Sequence, residues 1–550
     1  MELHAAAPPA EILDSWKAIA QYLNRDIRTL QRWESTKGLP VHRMPGGDRP
    51  GVYAIQSELD SWRRSRDIHL AVPGGNAEES AAETKGPTVA VLPFVNLSGG
   101  QETEYFADGL ADEVITDLAR TPGLRVTART SSFAFRGKDQ DIRKIASSLG
   151  ATVILEGSVR WSGNRVRVIA QLIHAGDGCH LWCDSYDREL TELFTIQEEI
   201  SRAIVEALRV RLILEAVPSR RTTQNPEAYQ LWLRGRHACL RQDPGEMLRA
   251  RICFEQAAAL DGHFAQAQVG IAESWWECAL FGIERPREAV AIGRGAVARA
   301  LELDETSGEA HAMLGIYSGV HDFDWASAER HFQRARQINS TSPDIRRKYA
   351  AYLLEPACRF AEARAEFEAA LELDPLSPVV LTYLGQCYLL ERRYPEAVEC
   401  LQEAAEIDPT YWVAQFVLFG AWMFQGRFDK SVEILQKAVK QLGANPFILG
   451  AAGAVYGFLG QRDKAEEFLH LIEQMGETRY VSPLAIAWAY MGLRDTERCL
   501  DWFEKAVEER DPQIIHFPMK PMYDEFRSHP RWKALVRTMG LAPQHSAVGR

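Results

Sequence analysis

Basic and hydroxyl side chains share one side of a short segment near the start of the sequence. At 100° per residue, a helix over about residues 26–36 would bring together a cluster that consists of Arg25, Arg28, Arg32, Ser35 and Thr36. Guanidinium groups bind guanine edges and phosphates, and hydroxyls bind phosphate oxygens. The pattern therefore predicts a helix face that suits insertion into the major groove of DNA.

Two predicted helices and a hairpin would position this face. Residues 16–23 have apolar side chains at i, i+3, i+4 and i+7 after Asp14 and Ser15, which predicts a capped first helix. On the second helix, Ile27, Leu30 and Trp33 share the face opposite the arginines. Strand-like runs at 41–44 and 52–55 then flank a Pro/Gly turn, and a third helix is predicted over 57–66.

The order helix, turn, helix, hairpin, helix over residues 12–66 resembles the winged helix-turn-helix of the MerR and excisionase families. The run Thr29–Glu34 is similar to their recognition helix. By position, the resemblance implies that the DNA contacts are made by Arg25, Arg28, Thr29, Arg32 and the wing residue Arg43. MerR proteins add a long dimerisation helix and often ligand cysteines. Neither occurs near this segment, so metal sensing is not expected.

Residues 87–215 predict an α/β domain with a mixed sheet. Strands are expected at 88–94, 124–128, 152–161, 165–173 and 180–185, and helices at 108–120, 142–149 and 190–214. Runs such as Val91–Phe94, Tyr105–Leu110 and Leu155–Val159 resemble the TolB amino-terminal (FlgO-like) domain. That domain accompanies repeats in CadC-like bacterial regulators and beside class III nucleotide cyclases. This chain has a polar linker, residues 67–86, where CadC-like proteins have a membrane span, and residues 1–86 are too few for a cyclase domain.

The remainder of the chain repeats with a period near 34 residues. A large apolar residue stands four positions after a small residue, and in five of six units three before an alanine, at Phe332, Phe367, Leu401, Leu435, Leu469 and Phe503. This pattern resembles the tetratricopeptide repeat, a pair of antiparallel helices. Degenerate units around Phe254 and Val297 extend it to seven or eight units in residues 220–541, with Phe517–Leu541 as a cap. The uncharged stretch 441–461 falls in register and is read as a buried repeat helix, not a membrane span.

Few other residues have a spacing that suits chemistry. No P-loop, H-E-x-x-H, G-x-S-x-G or G-x-G-x-x-G pattern occurs. His174, Cys179, His180 and Cys183 have an atypical spacing for a metal site, so ordinary packing is favoured and no metal is expected. The run Arg129–Ser132 could bind an anion through its hydroxyls and guanidinium, or it could end a strand.

Charge and cysteine usage restrict the class of protein. The 550 residues carry a formal charge of −12, which excludes a uniformly basic nucleic-acid coat protein. Residues 14–66 nevertheless hold ten Lys and Arg against six Asp and Glu, a net charge of +4. The nine cysteines form no C-x-x-C pair, and residues 1–10 resemble no signal peptide, so a cytoplasmic location is expected.

The sequence therefore predicts a multidomain chain with a small winged helix-turn-helix, an α/β mixed-sheet domain and an all-α tetratricopeptide repeat solenoid. The favoured function is that of a cytoplasmic DNA-binding transcriptional regulator without catalytic residues or cofactors, whose TolB-like and repeat domains sense a signal or dock a protein partner. Double-stranded DNA would bind residues 12–66, and a protein partner would bind the solenoid. Two alternatives remain open. One is a repeat scaffold that does not bind DNA, and the other is a non-catalytic relative of nucleotide cyclase regulatory regions.

Overall fold

The computed structural model describes most of the chain after residue 87 and parts of the segment before it. The described residues are 12–13, 15–23, 34, 39–43, 52–56, 58–59, 88–99, 101–119, 124–137, 141–162, 165–176, 178–189, 223, 225–239, 244–442 and 445–541. The chain divides into two compact units, residues 1–84 and 85–550. The α/β domain and the repeat helices therefore belong to one unit.

The first unit contains a short helix and a three-stranded sheet. Its elements are β1 (Ile12–Leu13), α1 (Trp16–Leu23), β2 (His42–Arg43) and β3 (Val52–Ile55). The strand order is β1-β3-β2, and both pairings are antiparallel. Ser15 Oγ accepts a hydrogen bond from the Ala18 amide at 3.2 Å, which caps α1. Ile19, Ala54 and Leu59 are buried in the small core.

The structure confirms the first helix and the pairing of β2 with β3, and it adds the strand β1, which we did not expect. The second helix, predicted over 26–36, lies outside the described residues except at Glu34, which is helical. Of the third predicted helix, only Glu58 and Leu59 are described, and both are helical. The linker 67–86 lies outside the described residues as well.

The second unit begins with a mixed sheet. Its strands are β4 (Thr88–Val91), β5 (Val95–Asn96), β6 (Arg125–Val126), β7 (Val153–Ser162), β8 (Arg165–His174) and β9 (His180–Glu189). The order is β6-β4-β7-β8-β9, with β5 beside β7. β4 runs parallel to β6 and β7, whereas β7, β8 and β9 pair antiparallel. The expected mixed sheet is thus confirmed.

Helices cover both faces of this sheet. The helix α2 (Gln101–Ala119) packs on one face, against side chains such as Val89 and Val91, and α4 (Ile142–Leu149) packs on the other, against Ala90 and Ile154. Four expectations need correction. The strand expected over 88–94 ends at Val91, and the strand expected over 180–185 extends to Glu189. The first helix starts seven residues earlier than expected, and the strand expected over 124–128 ends at Val126. It is followed by a short helix, α3 (Arg129–Phe133). The helix expected over 190–214 lies outside the described residues.

Eight antiparallel helix pairs follow in the described part of residues 226–509. The first helices of the pairs are α5 (Pro226–Cys239), α7 (Ala265–Leu280), α9 (Gly308–Ile316), α11 (Pro343–Tyr349), α13 (Pro378–Leu390), α15 (Trp412–Phe424), α17 (Pro446–Phe458) and α19 (Pro483–Gly492). The second helices are α6 (Pro244–Leu260), α8 (Pro286–Leu303), α10 (Trp325–Ile338), α12 (Phe360–Leu373), α14 (Tyr394–Ile407), α16 (Phe428–Leu442), α18 (Arg462–Gly476) and α20 (Thr496–Glu509). One π-helical turn follows α9 (Tyr317–His321) and another follows α11 (Ala350–Leu354).

The 34-residue period is confirmed in three dimensions. Each of the six anchor residues, from Phe332 to Phe503, lies on a second helix and is at most 8% exposed. Gly385 shows how closely an anchor packs on the first helix of its unit, because a Cβ there would lie 2.7 Å from Leu401 Cγ. The turn inside a unit uses a left-handed residue at the same position each time, and these residues are Phe323, Cys358, Arg392, Gly426, Gly460 and Arg494.

The C-terminal segment is more than a simple end cap. Two 3₁₀ turns (Pro512–His516 and Pro521–Phe526) and α21 (Pro530–Thr538) follow α20. The Trp325 indole donates to the carbonyl of Met539 at 2.8 Å, so the end of the chain contacts a helix in the middle of the solenoid. The Gln513 amide donates to the carbonyl of Leu280 at 3.1 Å. The segment therefore closes the solenoid against its earlier helix pairs.

Candidate functional sites in the hairpin, the domain interface and the solenoid

The structure locates one of the five side chains expected to contact DNA. Arg25, Arg28, Thr29 and Arg32 lie outside the described residues. Arg43 is exposed on β2, and its guanidinium Nη2 lies 2.7 Å from Glu34 Oε1. Because Glu34 neutralises part of this charge, the hairpin edge is less positive than the sequence suggests. The partnership could not be read from spacing alone, since it depends on where the helical residue Glu34 lies.

The run Arg129–Ser132 does bind an anion, but the anion belongs to the solenoid. The amide and hydroxyl of Ser131 both donate to Asp374 Oδ1, at 2.9 and 2.5 Å. Ser131 Oγ in turn accepts from the Leu376 amide at 2.7 Å. Asp374 is 4% exposed, and burial raises the pKa of its carboxyl. This run is therefore part of a domain interface.

In other turns of the solenoid, a threonine of the same turn supplies the two hydrogen bonds that Ser131 donates to Asp374. In two other turns the aspartate caps its own chain: Asp304 Oδ1 accepts from the amide and hydroxyl of Thr306, and Asp408 Oδ1 does so from Thr410. After Asp374 the corresponding position is Leu376, which has no hydroxyl. Ser131 of the α/β domain supplies both donors instead. The absent hydroxyl is the sequence signal that could have indicated an external partner here.

A second contact joins α2 to the first repeat helix. Asp112 Oδ2 lies 3.3 Å from Arg236 Nη2 and 3.8 Å from Arg129 Nη1, so one buried carboxylate faces two guanidinium groups. Asp112 raises the pKa of the Arg236 guanidinium, whereas burial lowers that of Arg129. Beside them, a Cβ at Gly109 would lie 2.1 Å from Leu233 Cδ1. Part of the run 105–110, which resembles the TolB domain, therefore packs against the solenoid.

The inner surface of the early helix pairs carries paired charges. Lys348 Nζ lies 2.6 Å from Glu273 Oε1 and 2.7 Å from Asp344 Oδ2, and Arg347 Nη2 lies 2.5 Å from Asp344 Oδ1. Lys348 and Arg347 are buried. Each cation has a carboxylate partner, as buried charges require. We therefore interpret this cluster as a structural link between α7 and α11.

The later helix pairs enclose an apolar cavity, which we call the inner chamber. It comprises about 1250 Å³ of empty space, a figure that includes its open mouth. Its walls come from α13, α15, α17 and α19, from the turn after α7, and from the C-terminal segment 512–522. Aromatic side chains such as Trp412, Phe416, Phe447 and Trp488 supply much of the lining. The sequence indicated that these residues are core, and the structure shows that they also border this space.

The C-terminal segment forms one side of the inner chamber. His516 Nε2 lies 3.2 Å from the carbonyl of Ala351 and 3.1 Å from Glu355 Oε2, and the Trp488 indole donates to the Tyr523 hydroxyl at 2.7 Å. An open solenoid offers its whole inner surface to a partner. Here the chain covers part of that surface itself, so an extended peptide could not follow it along the later pairs.

No metal centre is found in the part of the chain that the structure describes. There, no group of three or more His, Cys, Asp or Glu side chains is placed to hold an ion. His174 ends β8, and Cys179 and Cys183 are exposed. Within the same residues, no helix combines the length and the apolar character needed to cross a membrane.

Comparison with known proteins identifies the repeats. Residues 357–415 match the family model described as tetratricopeptide repeat. A curated relative, "Putative adenylate cyclase 3" of Rhizobium meliloti (strain 1021), is 40% identical over 223 residues. The match covers 40% of this chain and 38% of the relative, so the chain spans well under half of that protein.

Solved structures with similar folds have low identity and low TM-scores. The human IFIT1 dimer with m7Gppp-AAAA is 15% identical with a TM-score of 0.41, over 57% of this chain and 77% of that one. TolB from Acinetobacter baumannii is 18% identical with a TM-score of 0.17, over 22% of this chain and 28% of that one. Neither likeness carries an argument about this protein. The match of residues 357–415, together with the helix pairs around it, establishes that this chain carries tetratricopeptide repeats.

Proposed function

We propose that this protein is a non-catalytic adaptor that binds a protein partner through its repeat solenoid. The observation that carries the proposal is the series of helix pairs in residues 226–509, of which residues 357–415 match the tetratricopeptide repeat model. Stacked helix pairs expose large surfaces that bind other proteins. The α/β domain is fixed to this solenoid through Asp374 and Asp112, so a signal that displaced the domain would also disturb the repeats.

A nucleotide cyclase is the partner class that the sequence comparison favours. The identity of 40% over 223 residues relates this chain to part of a protein described as a putative adenylate cyclase. Under this proposal the shared part is a regulatory region, and the cyclase is a separate polypeptide.

We expect the full-length protein to co-purify with its partner after nuclease treatment, with cross-links to the partner on residues 226–541. If the partner is a cyclase, the purified complex will form cyclic AMP from ATP, whereas the protein alone will not. Loss of the partner on nuclease treatment would contradict the adaptor proposal, as would cross-links confined to residues before 85.

A DNA-binding regulator is the second candidate function. It is supported by the net charge of +4 over residues 14–66 and by the exposed Arg43 on the β2–β3 hairpin. In this proposal Arg25, Arg28, Thr29 and Arg32 contact the major groove and Arg43 contacts the backbone. The acidic remainder of the chain would be repelled from DNA, so binding would be confined to the first unit.

For this candidate we expect the double substitution Arg28→Ala and Arg32→Ala to weaken duplex binding several-fold for each arginine removed, because each side chain supplies charge and hydrogen bonds. The measurement is selection of bound genomic fragments by the full-length protein, followed by titration at several salt concentrations. Arg249→Ala, which removes an exposed charge from α6, is the matched control and should leave binding unchanged. Failure to enrich any sequence would rule out the regulator and leave the adaptor.

A further inference from the structure

The inner chamber has the composition of a small-molecule site. Ligand sites in proteins combine mostly apolar walls with a few polar groups that fix orientation. In the chamber, aromatic rings on α13, α15 and α17 face the C-terminal segment, while Thr382, Gln386 and Gln513 supply neutral polar groups. Lys520 adds one cationic group to the lining.

Lys520 differs from the buried cations of the solenoid because its ammonium has no partner. Among the residues that the structure describes, no carboxylate lies within ion-pair distance of its Nζ, whereas Lys348 has two such partners. Burial lowers the pKa of Lys520 to about 8, so the group remains mostly protonated at pH 7. Lys520 is only partly buried, and an anion bound in the chamber could pair with its ammonium.

The nearby acids have other donors at some of their oxygens, although Glu355 Oε1 is buried with no hydrogen-bond partner among the described residues. Asp511 accepts from the Ser482 hydroxyl and from the Gln513 amide. Glu355 Oε2 accepts from Gln386 at 3.1 Å and lies beside His516. Neither carboxylate is within ion-pair distance of Lys520, so no carboxylate in the described part of the chain pairs with it directly.

We propose that the inner chamber binds a small amphipathic carboxylate, whose apolar body packs among the aromatic rings and whose carboxylate pairs with Lys520. The charge complementarity argues for an anion, and the apolar walls argue for a body without charge. Because the walls include both the first helices and the C-terminal segment, a bound molecule holds these parts together. The site is independent of the protein partner proposed above, since it lies inside the solenoid.

Two substitutions separate the roles of charge and space. Lys520→Met keeps the length of the side chain and removes its charge. Gly420→Leu on α15 places a bulky apolar side chain in the wall of the chamber, and the substitution is compatible with the fold because the nearest atoms to a Cβ there are those of the Phe424 ring, at 3.9 Å. Lys533→Met on α21 removes an exposed charge from the same C-terminal segment and is the matched control.

The test is calorimetric titration of the full-length protein with 2-naphthoate and with dodecanoate, alongside the uncharged 2-naphthamide and dodecanol. The first two probes distinguish a planar ring from an alkyl chain as the apolar body, and saturable binding of either supports the site. We expect Lys520→Met to weaken carboxylate binding about 10- to 100-fold, as loss of a charged hydrogen bond implies. Binding of the neutral probes should change little, and Gly420→Leu should abolish binding of all four.

Four results would overturn the proposal, and the first three concern carboxylate affinity. They are the absence of saturable carboxylate binding to the unmodified protein, equal carboxylate affinity in Lys520→Met, and unchanged affinity in Gly420→Leu. Preference for the neutral probes over the carboxylates would also overturn it. Circular dichroism and thermal unfolding of each variant check that a loss of binding is not a loss of fold, and Lys533→Met should bind as the unmodified protein does.

Discussion

Replacement of Phe503 by alanine is expected to lower the free energy of unfolding by about 3–5 kcal/mol, the cost typical of a buried phenylalanine. Phe503 is fully buried on α20. The centroid of its ring lies 4.8 Å from the ring centroid of Phe517, 5.4 Å from that of Tyr523 and 5.6 Å from that of Trp532. Loss of the ring would leave a cavity at the point where the C-terminal segment attaches to the last helix pair.

The loss of stability caused by Phe503→Ala should first affect the C-terminal segment and only later the earlier helix pairs. Each pair in a solenoid is stabilised mainly by its neighbours, so hydrogen exchange in 512–541 should accelerate before exchange in α7 or α9. The measurement is urea unfolding together with exchange mass spectrometry. Leu471→Ala, at a side chain that is 40% exposed, is the control and should cost about 0.5 kcal/mol or less. Equal destabilisation by the two variants would contradict the role given to Phe503.

Replacement of Asp374 by alanine is expected to cost about 2–4 kcal/mol, because it removes the charged acceptor of two hydrogen bonds from Ser131 and leaves those donors buried. Asp408→Ala is a matched control, since it removes the same type of turn cap from a turn with no contact to Ser131. If the domain interface depends on Asp374, only the first substitution will expose residues 125–136 to exchange and proteolysis.

The contact between Ser131 and Asp374 can also be tested by a double-mutant cycle and by the pH dependence of the free energy of unfolding. In a Ser131→Ala background, Asp374→Ala should cost less than in the unmodified protein, because one of its two donors is already absent. Burial raises the pKa of the Asp374 carboxyl, so the folded state retains this proton to higher pH than the unfolded state does. The contribution of Asp374 to the free energy of unfolding therefore falls as pH rises above about 4. Asp374→Asn removes that dependence, so its stability relative to the unmodified protein should improve as pH rises. Additive costs in the cycle would show that the two residues do not interact.

The repeats were the part of the fold that could be predicted best. Anchors spaced by 34 residues fall on second helices and are buried in each unit, and the uncharged stretch 441–461 contains α17 with most of its residues in the core. This success has a local cause: each pair packs mainly on its neighbours, so one short pattern determines both the helices and their buried faces. The mixed sheet was predicted for a similar reason, because the Ser162–Asn164 turn indicates the β7–β8 hairpin.

Contacts between residues far apart in the chain could not be predicted. Ser131 and Asp374 are joined by a hydrogen bond although more than 200 residues separate them, and no periodicity relates their positions. The strand predicted to continue through residue 128 ends at Val126, and the Ala128 amide donates to the carbonyl of Leu373 in the solenoid at 2.8 Å just before α3 begins. Likewise, Glu34 pairs with Arg43 only because of where the helical residue lies relative to the hairpin.

The sequence by itself determined the kinds of elements, the 34-residue repeat and the location of the basic segment, because these depend on side-chain periodicity and local charge. Tertiary structure alone decided that the α/β domain docks on the solenoid through Ser131 and Asp374. It also decided that the C-terminal segment closes over the later helix pairs and brings Lys520 into the lining of the inner chamber. The physical reason is that burial and pairing of a charge depend on the whole packing around it, which no short stretch of sequence specifies.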